Sequence, residues 1–250
     1  MTAGGYIESP HLPQVRVGLL ALGGRYRGEL ERPLSQLGVS ALWLPDNTRV
    51  DGRLAGHADL VLFHAGGRRV VSSGGDVLRL QMEELGFEVM PSARGLAPRY
   101  PADAGLNGCL VGKRFIHNTS VSDGAMLSAL PPGTELLNVR QGYAKCSVCV
   151  VDSQSIITSD EGIARAAEGA GLQVLRISPG HVELPGFSCG FIGGASFKLA
   201  PDLMAFTGRL DRHPDWVKIG EFLYIRGISI TFLTDRPAFD IGSSVPLTEV

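Results

Sequence analysis

EGIARAAEGAGLQVLRI, residues 161–177, reads as a helix that stops at a glycine and runs directly into a short apolar strand. Thr158, with Glu161 three residues on, makes a capping-box start, and Ile163, Ala166, Ala167 and Ala170 fall on one helical face. Gly171 then stands where the chain must turn left-handed to leave the helix, a conformation that glycine adopts without a Cβ clash. Four other stretches carry the same glycine and strand: LGVSALWLP (37–45), LGFEVMP (85–91), PGTELLNV (132–139) and RGISITFL (226–233). Their glycines, with Gly171, are spaced by 48, 47, 38 and 56 residues, an irregular period within the range of structural repeats.

Helical segments precede the other glycines, ELERPLSQL, DVLRLQMEEL, the short GAMLSAL and WVKIGEFLYI, the last announced by Pro214 and Asp215. A second set of extended runs lies between the units: HADLVLF (57–63), LNGCLVG (106–112), KCSVCVV (145–151), SCGFIGG (188–194) and DIGSSVPL (240–247). The predicted unit is strand, strand, helix, strand. The chain starts with an unpaired strand and helix and ends on a run that lacks a helix, so a ring closed by exchange of the two ends repairs both defects and leaves no exposed sheet edge. The expectation is one α/β domain over residues 15–250, preceded by a loose tail over 1–14 that is rich in Gly, Pro and Ser.

Composition narrows the function classes. With 44% hydrophobic and 19% charged residues the chain should fold, and a net charge of −2 with scattered basic residues offers no footprint for nucleic acid or an anionic membrane. The opening MTAGGYIESPHLPQ has no basic region followed by an apolar one, and no stretch reaches the roughly 18–20 apolar residues of a membrane span, so cytoplasmic placement is expected. Four cysteines suit reduced thiols, and one close pair without a second is a weak zinc pattern; neither metal nor cofactor is expected. SSGGDVL (72–78) lacks the residues of a phosphate loop and reads as a helix start, and GFIGGASF (190–197) reads as close backbone approach.

Cys146 and Cys149 have the Cys-x-x-Cys spacing, but in an extended run residues three apart face opposite sides and cannot share a ligand. Aligning the runs sets Cys149 against Cys109 and Cys146 against Cys189. Buried thiols then line the inner walls as small hydrophobes, with Cys146 or Cys189 as the alternative of a lone nucleophile or ligand.

Five such units resemble the five-bladed α/β propeller of the pentein, or guanidine-modifying-enzyme, superfamily across residues 15–247. The stretch from VRQGYAKCSVCVVD to GFSCGFIGG, together with DIGSSVPL, is similar to a bacterial branch of it that has no assigned activity. The resemblance implies an axial site in which a cysteine on the last inner strand attacks a guanidinium carbon, a histidine moves protons and carboxylates hold the cation. Here that strand reads Asp240-Ile241-Gly242-Ser243-Ser244, and no cysteine follows Cys189. Ser243 or Ser244 falls near the nucleophile's place.

The candidates for chemistry are therefore His181, in SPGHVELPGF, with Cys146 and Cys189; those for holding substrate are Asp103, Asn107, Glu183 and Asp240. Asp59, Asp103, Asn107, Lys145 and Asp240 all stand at the mouth of an inner run, where they either ring one pocket or cap their own turns. Three readings follow: a binder of a guanidino or amidino small molecule, a hydrolase or amidinotransferase of unusual mechanism, and a non-catalytic propeller that binds a protein.

Overall fold

The computed structural model describes residues 5–250. All five repeat glycines, Gly38, Gly86, Gly133, Gly171 and Gly227, have φ between 67° and 86°, the left-handed geometry that ends each helix. The chain begins with β1 (Gly5–Tyr6), β2 (Val17–Gly23), α1 (Arg27–Gln36) and β3 (Ser40–Leu44). The next unit is β4 (Leu62–Gly66), β5 (Arg69–Ser72), α2 (Gly75–Glu84) and β6 (Glu88–Pro91), and the third is β7 (Cys109–Val111), β8 (Arg114–His117), α3 (Gly124–Ala129) and β9 (Glu135–Asn138). A single helical turn, α4 (Ala144–Ser147), precedes β10 (Cys149–Asp152), β11 (Ser155–Thr158), α5 (Glu161–Gly169) and β12 (Gln173–Arg176). The last unit is β13 (Ser196–Ala200), β14 (Leu203–Phe206), α6 (Trp216–Tyr224) and β15 (Ser229–Phe232), and β16 (Val245–Glu249) ends the chain.

Each unit forms a small sheet, an antiparallel hairpin followed by a parallel strand reached through the helix, and there are five such sheets among the described residues. The first sheet is completed from the other end of the chain: β16 pairs antiparallel with β2, as the exchange of ends predicts. Every large hydrophobic cluster is shared by two sheets. Ala21 and Leu247 meet Leu62 and Val70; Phe63 and Val71 meet Leu110 and Phe115; Cys109 and Ile116 meet Val150 and Ile156. Cys149 and Ile157 then meet Met204 and Phe206, and Phe197 and Ala205 meet Leu20 and Leu22. Cys109 and Cys149 are fully buried members of these walls.

Three local expectations change. The described part of the N-terminal stretch is not loose: β1 pairs with β16, Ile7 is wholly buried, and Gly67 N donates to Ile7 O at 2.9 Å, so an apolar anchor and sheet bonds fix it. Residues 1–4 lie outside the described residues. The cap of α5 is Asp160, whose carboxylate accepts from Ile163 N at 2.8 Å; Thr158 is buried as the last residue of β11 and donates to Ser147 O at 2.8 Å. The run SCGFIGG is loop, and the inner strand starts at Ser196. No helix is long and apolar enough to cross a membrane among the described residues.

Candidate functional site

Cys146 does not lie on a strand. Asn107 Oδ1 accepts from Cys146 N at 3.2 Å, Asn107 O accepts from Lys145 N at 3.0 Å, and Ser147 turns its amide and hydroxyl onto Tyr143 O. These bonds wind residues 144–147 into α4 instead of extending them. Cys149 faces the wall, while the Cys146 sulfur is carried to a cluster of buried polar groups.

That cluster is built from distant parts of the chain. His57 precedes a 3-10 turn at Ala58–Leu60 that holds Asp59, and the Cys146 thiol donates to Asp59 Oδ2 at 3.0 Å. The Asn107 amide donates to Cys146 Sγ at 3.4 Å. Asp240 accepts from Phe191 N and Gly242 N, each at 2.9 Å, which ties the 190–194 loop to the last strand's approach. Close approach explains two glycines: a Cβ at Gly194 would sit 1.9 Å from Asp240 Oδ1, and one at Gly242 would sit 2.4 Å from the Cβ of His57. Lys145 is buried beside them and donates to Gly193 O at 3.1 Å and to Ser243 Oγ at 2.8 Å. Ser243, at φ 57°, holds a left-handed backbone unusual for serine.

The electrostatics oppose a reactive thiolate. Burial, reinforced by the negative charges of Asp59 and Asp240, pushes the Cys146 thiol well above its ordinary value. Burial likewise raises Asp59 to about 6, against the opposing pull of His57. Among buried side-chain atoms, His57 Nε2 and Asp59 Oδ1 have no hydrogen-bond partner. Beside the cluster lies a cavity of about 260 Å³ lined by the polar residues His57, Cys146, Ser188, Cys189 and Asp240 and by Leu54, Tyr143, Leu184, Phe187 and Phe191. Arg53 stacks over the Phe187 ring at 4.2 Å and donates to Gly186 O at 2.6 Å, fixing the rim loop.

Of the residues singled out from sequence, Cys146, Cys189, Asn107 and Asp240 converge here. Asp103 stands one layer out: it is buried, its carboxylate raised by burial, and it accepts from the Tyr143 hydroxyl at 2.8 Å, so it orients a ring that lines the cavity. His181 and Glu183 are not brought to it. His181 is exposed, edge-to-face with His213 at 5.0 Å, and Glu183 points outward to Arg236, both on an adjoining cleft of about 500 Å³ that shares Leu184, Phe187 and Ser188 with the cavity. The cause is strand alternation: Glu183 N and O bond Ala238 and Asp240, with Val182 and Leu184 turned inward. His57 was not singled out, although it stands two residues before Asp59 in the same run.

Residues 21–245 match a family of unknown function, DUF6873, and the chain belongs to that family. No curated protein matches the chain. Among solved structures, inosamine-phosphate amidinotransferase from Streptomyces griseus aligns over 100% of this chain and 98% of its own at a TM-score of 0.57 and 9% identity. DDAH from Pseudomonas aeruginosa, a cysteine-to-serine variant complexed with citrulline, aligns over 88% and 92% at 0.56 and 11%. Agmatine deiminase from C. jejuni aligns over 93% and 91% at 0.51 and 10%. At these identities the likeness is one of fold: a mixed α/β fold of five small sheets that resembles the pentein amidinotransferases, as the repeats implied.

Proposed function

We propose that this member of a family of unknown function is a five-bladed α/β propeller whose axial cavity binds a guanidino or amidino small molecule without the usual nucleophilic cysteine. Closure of the ring is supported by the order of the shared clusters, in which each sheet packs on the next and the fifth packs on the first. The ligand class is supported above all by one observation: two buried carboxylates, Asp240, which lines the cavity, and Asp59, which accepts from the cavity-lining Cys146, stand close to one thiol, and Asp59 Oδ1 has no partner. Asp240 lines the cavity itself, with Tyr143 and Phe191 as flanking rings. A planar, forked cation would supply the missing donors and offset the cost of two buried negative charges. An anionic ligand would meet the same charges as repulsion.

Turnover is the second reading, favoured by the convergence of a thiol, an imidazole and a carboxylate in one cavity. It requires the Cys146 thiol to ionise against two neighbouring carboxylates, so binding is the better supported activity. The test is thermal unfolding of the chelator-treated protein against guanidino, amidino and ureido compounds at millimolar concentration. A ligand at 100 times its Kd stabilises the fold by about 2.7 kcal/mol, a shift of several degrees for a chain of this length. We expect a shift confined to the guanidino and amidino compounds. A flat panel would remove this reading.

A further inference from the structure

Two residues that line the cavity, His57 and Cys146, also belong with Asp59 to an unused donor set. His57, Asp59 and Cys146 offer one imidazole nitrogen, one carboxylate oxygen and one sulfur that all lie within 4.8 Å of one another, and all three residues are at most 4% exposed. Two of the cluster's polar atoms, His57 Nε2 and Asp59 Oδ1, are buried without hydrogen-bond partners, which costs their desolvation with nothing in return. Its members are held from behind. Gly242 packs against the Cα, Cβ and Cγ of His57, where a side chain would collide, and Asn107 holds both the amide and the sulfur of Cys146.

The donor types decide which ion fits. Nitrogen, sulfur and oxygen together suit Zn²⁺ and its borderline neighbours, whereas Mg²⁺ and Ca²⁺ prefer oxygen alone. Three protein ligands below an open cavity are the arrangement of a zinc site that keeps one position for water or a ligand. Asn107, bonded to the sulfur, stands where supporting partners of metal ligands stand.

We propose that His57, Asp59 and Cys146 form a three-ligand site for a zinc-type divalent ion, open toward the axial cavity. On binding, the Cys146 S–H bond breaks, its proton leaves to solvent, and metal–sulfur, metal–oxygen and metal–nitrogen bonds replace the thiol–carboxylate contact; nothing is oxidised or reduced. The inference does not need the guanidino reading, but the two draw on the same Asp59 carboxylate, so a bound ion and a guanidinium would compete for it.

The test uses the full chain after chelator treatment, titrated with Zn²⁺ by calorimetry and with Co²⁺ by absorption. We expect one ion per chain and a sulfur-to-cobalt charge-transfer band that disappears in Cys146→Ser and persists in Cys189→Ser. His57→Gln should weaken Zn²⁺ binding by more than about 100-fold, beyond the 10–100-fold that loss of a merely supporting partner gives. His57→Gln decides the matter should Cys146→Ser fail to fold. No uptake at micromolar ion, a band that follows Cys189, or unchanged affinity in His57→Gln would each overturn the proposal.

Discussion

Asp59→Asn should stabilise the metal-free, ligand-free protein, and by an amount that grows with pH. Burial raises the Asp59 carboxyl from 3.8 to about 6, with Asp240 adding to the rise and His57, the Cys146 thiol and Lys145 opposing it. The protonated form is therefore the one the fold prefers. The cost is absent below pH 3.8, rises as the unfolded chain ionises, and levels off above pH 6; a shift of this size is worth about 3 kcal/mol at pH 7.5 and about 1 kcal/mol at pH 4.5. Asparagine keeps the shape and an acceptor for the Cys146 thiol but carries no charge, so its own packing effect is the same at both pH values. Urea unfolding with chelator present should show the variant gaining about 2 kcal/mol on the native protein between pH 4.5 and 7.5, roughly a 0.7–1 M change in relative midpoint. A gap between the two proteins that does not change with pH, or that closes as pH rises, would refute the claim that burial outweighs the pull of His57 and Lys145 on this carboxylate.

His117 carries the opposite sign. Its ring is wholly buried, with Nε2–H donating to Gly142 O at 2.7 Å and Ala104 O at 3.1 Å and Nδ1 accepting from Ser122 at 2.6 Å, and burial lowers it to about 4. Its contribution is complete above pH 6.5 and is lost, by up to about 3 kcal/mol, as pH falls through 4; its ring-proton NMR shift should stay constant from pH 7.5 to 5, and a midpoint near 6.5 would contradict the buried, neutral ring. Gly194→Ala would set a methyl carbon 1.9 Å from Asp240 Oδ1, so the carboxylate must leave Phe191 N and Gly242 N. A loss of at least about 3 kcal/mol in denaturant unfolding is expected from two stranded amides and the displaced charge; a change under about 1 kcal/mol would mean the loop yields freely.

The parts of this structure that were legible in sequence are those fixed locally or by a simple closure rule. Each repeat glycine must be left-handed to let a helix turn into a strand, and that constraint acts within a few residues of Gly38, Gly86, Gly133, Gly171 or Gly227. The return of β16 to β2 followed from counting unpaired strands. Asp240 and Asn107 were legible as polar residues at strand entries. Cys146 lies on a helical turn where its sequence reads as a strand, because the bonds that wind α4 come from Asn107, 39 residues away, and a run of Cys, Ser and Val carries no trace of them. For His57 the signal in the sequence is Asp59 two residues on, but its approach to the site depends on Gly242 at the far end of the chain, which no local pattern shows. The outward turn of Glu183 is itself legible, since the alternation Val182, Glu183, Leu184 puts its side chain on the face away from the apolar interior.

The central claim is that buried carboxylates at the axis hold a cationic amidino group. Its most direct test is a calorimetric titration of the best guanidino or amidino compound from the thermal panel, with chelator present, into the native protein and into Asp59→Asn. The account predicts saturable one-to-one binding to the native protein and at least about tenfold weaker binding to the variant, since a hydrogen bond to a charged group contributes about 1.5–3 kcal/mol. Equal affinity for the two proteins would contradict it, because a stable variant that keeps its ligand shows that Asp59 takes no part in holding one.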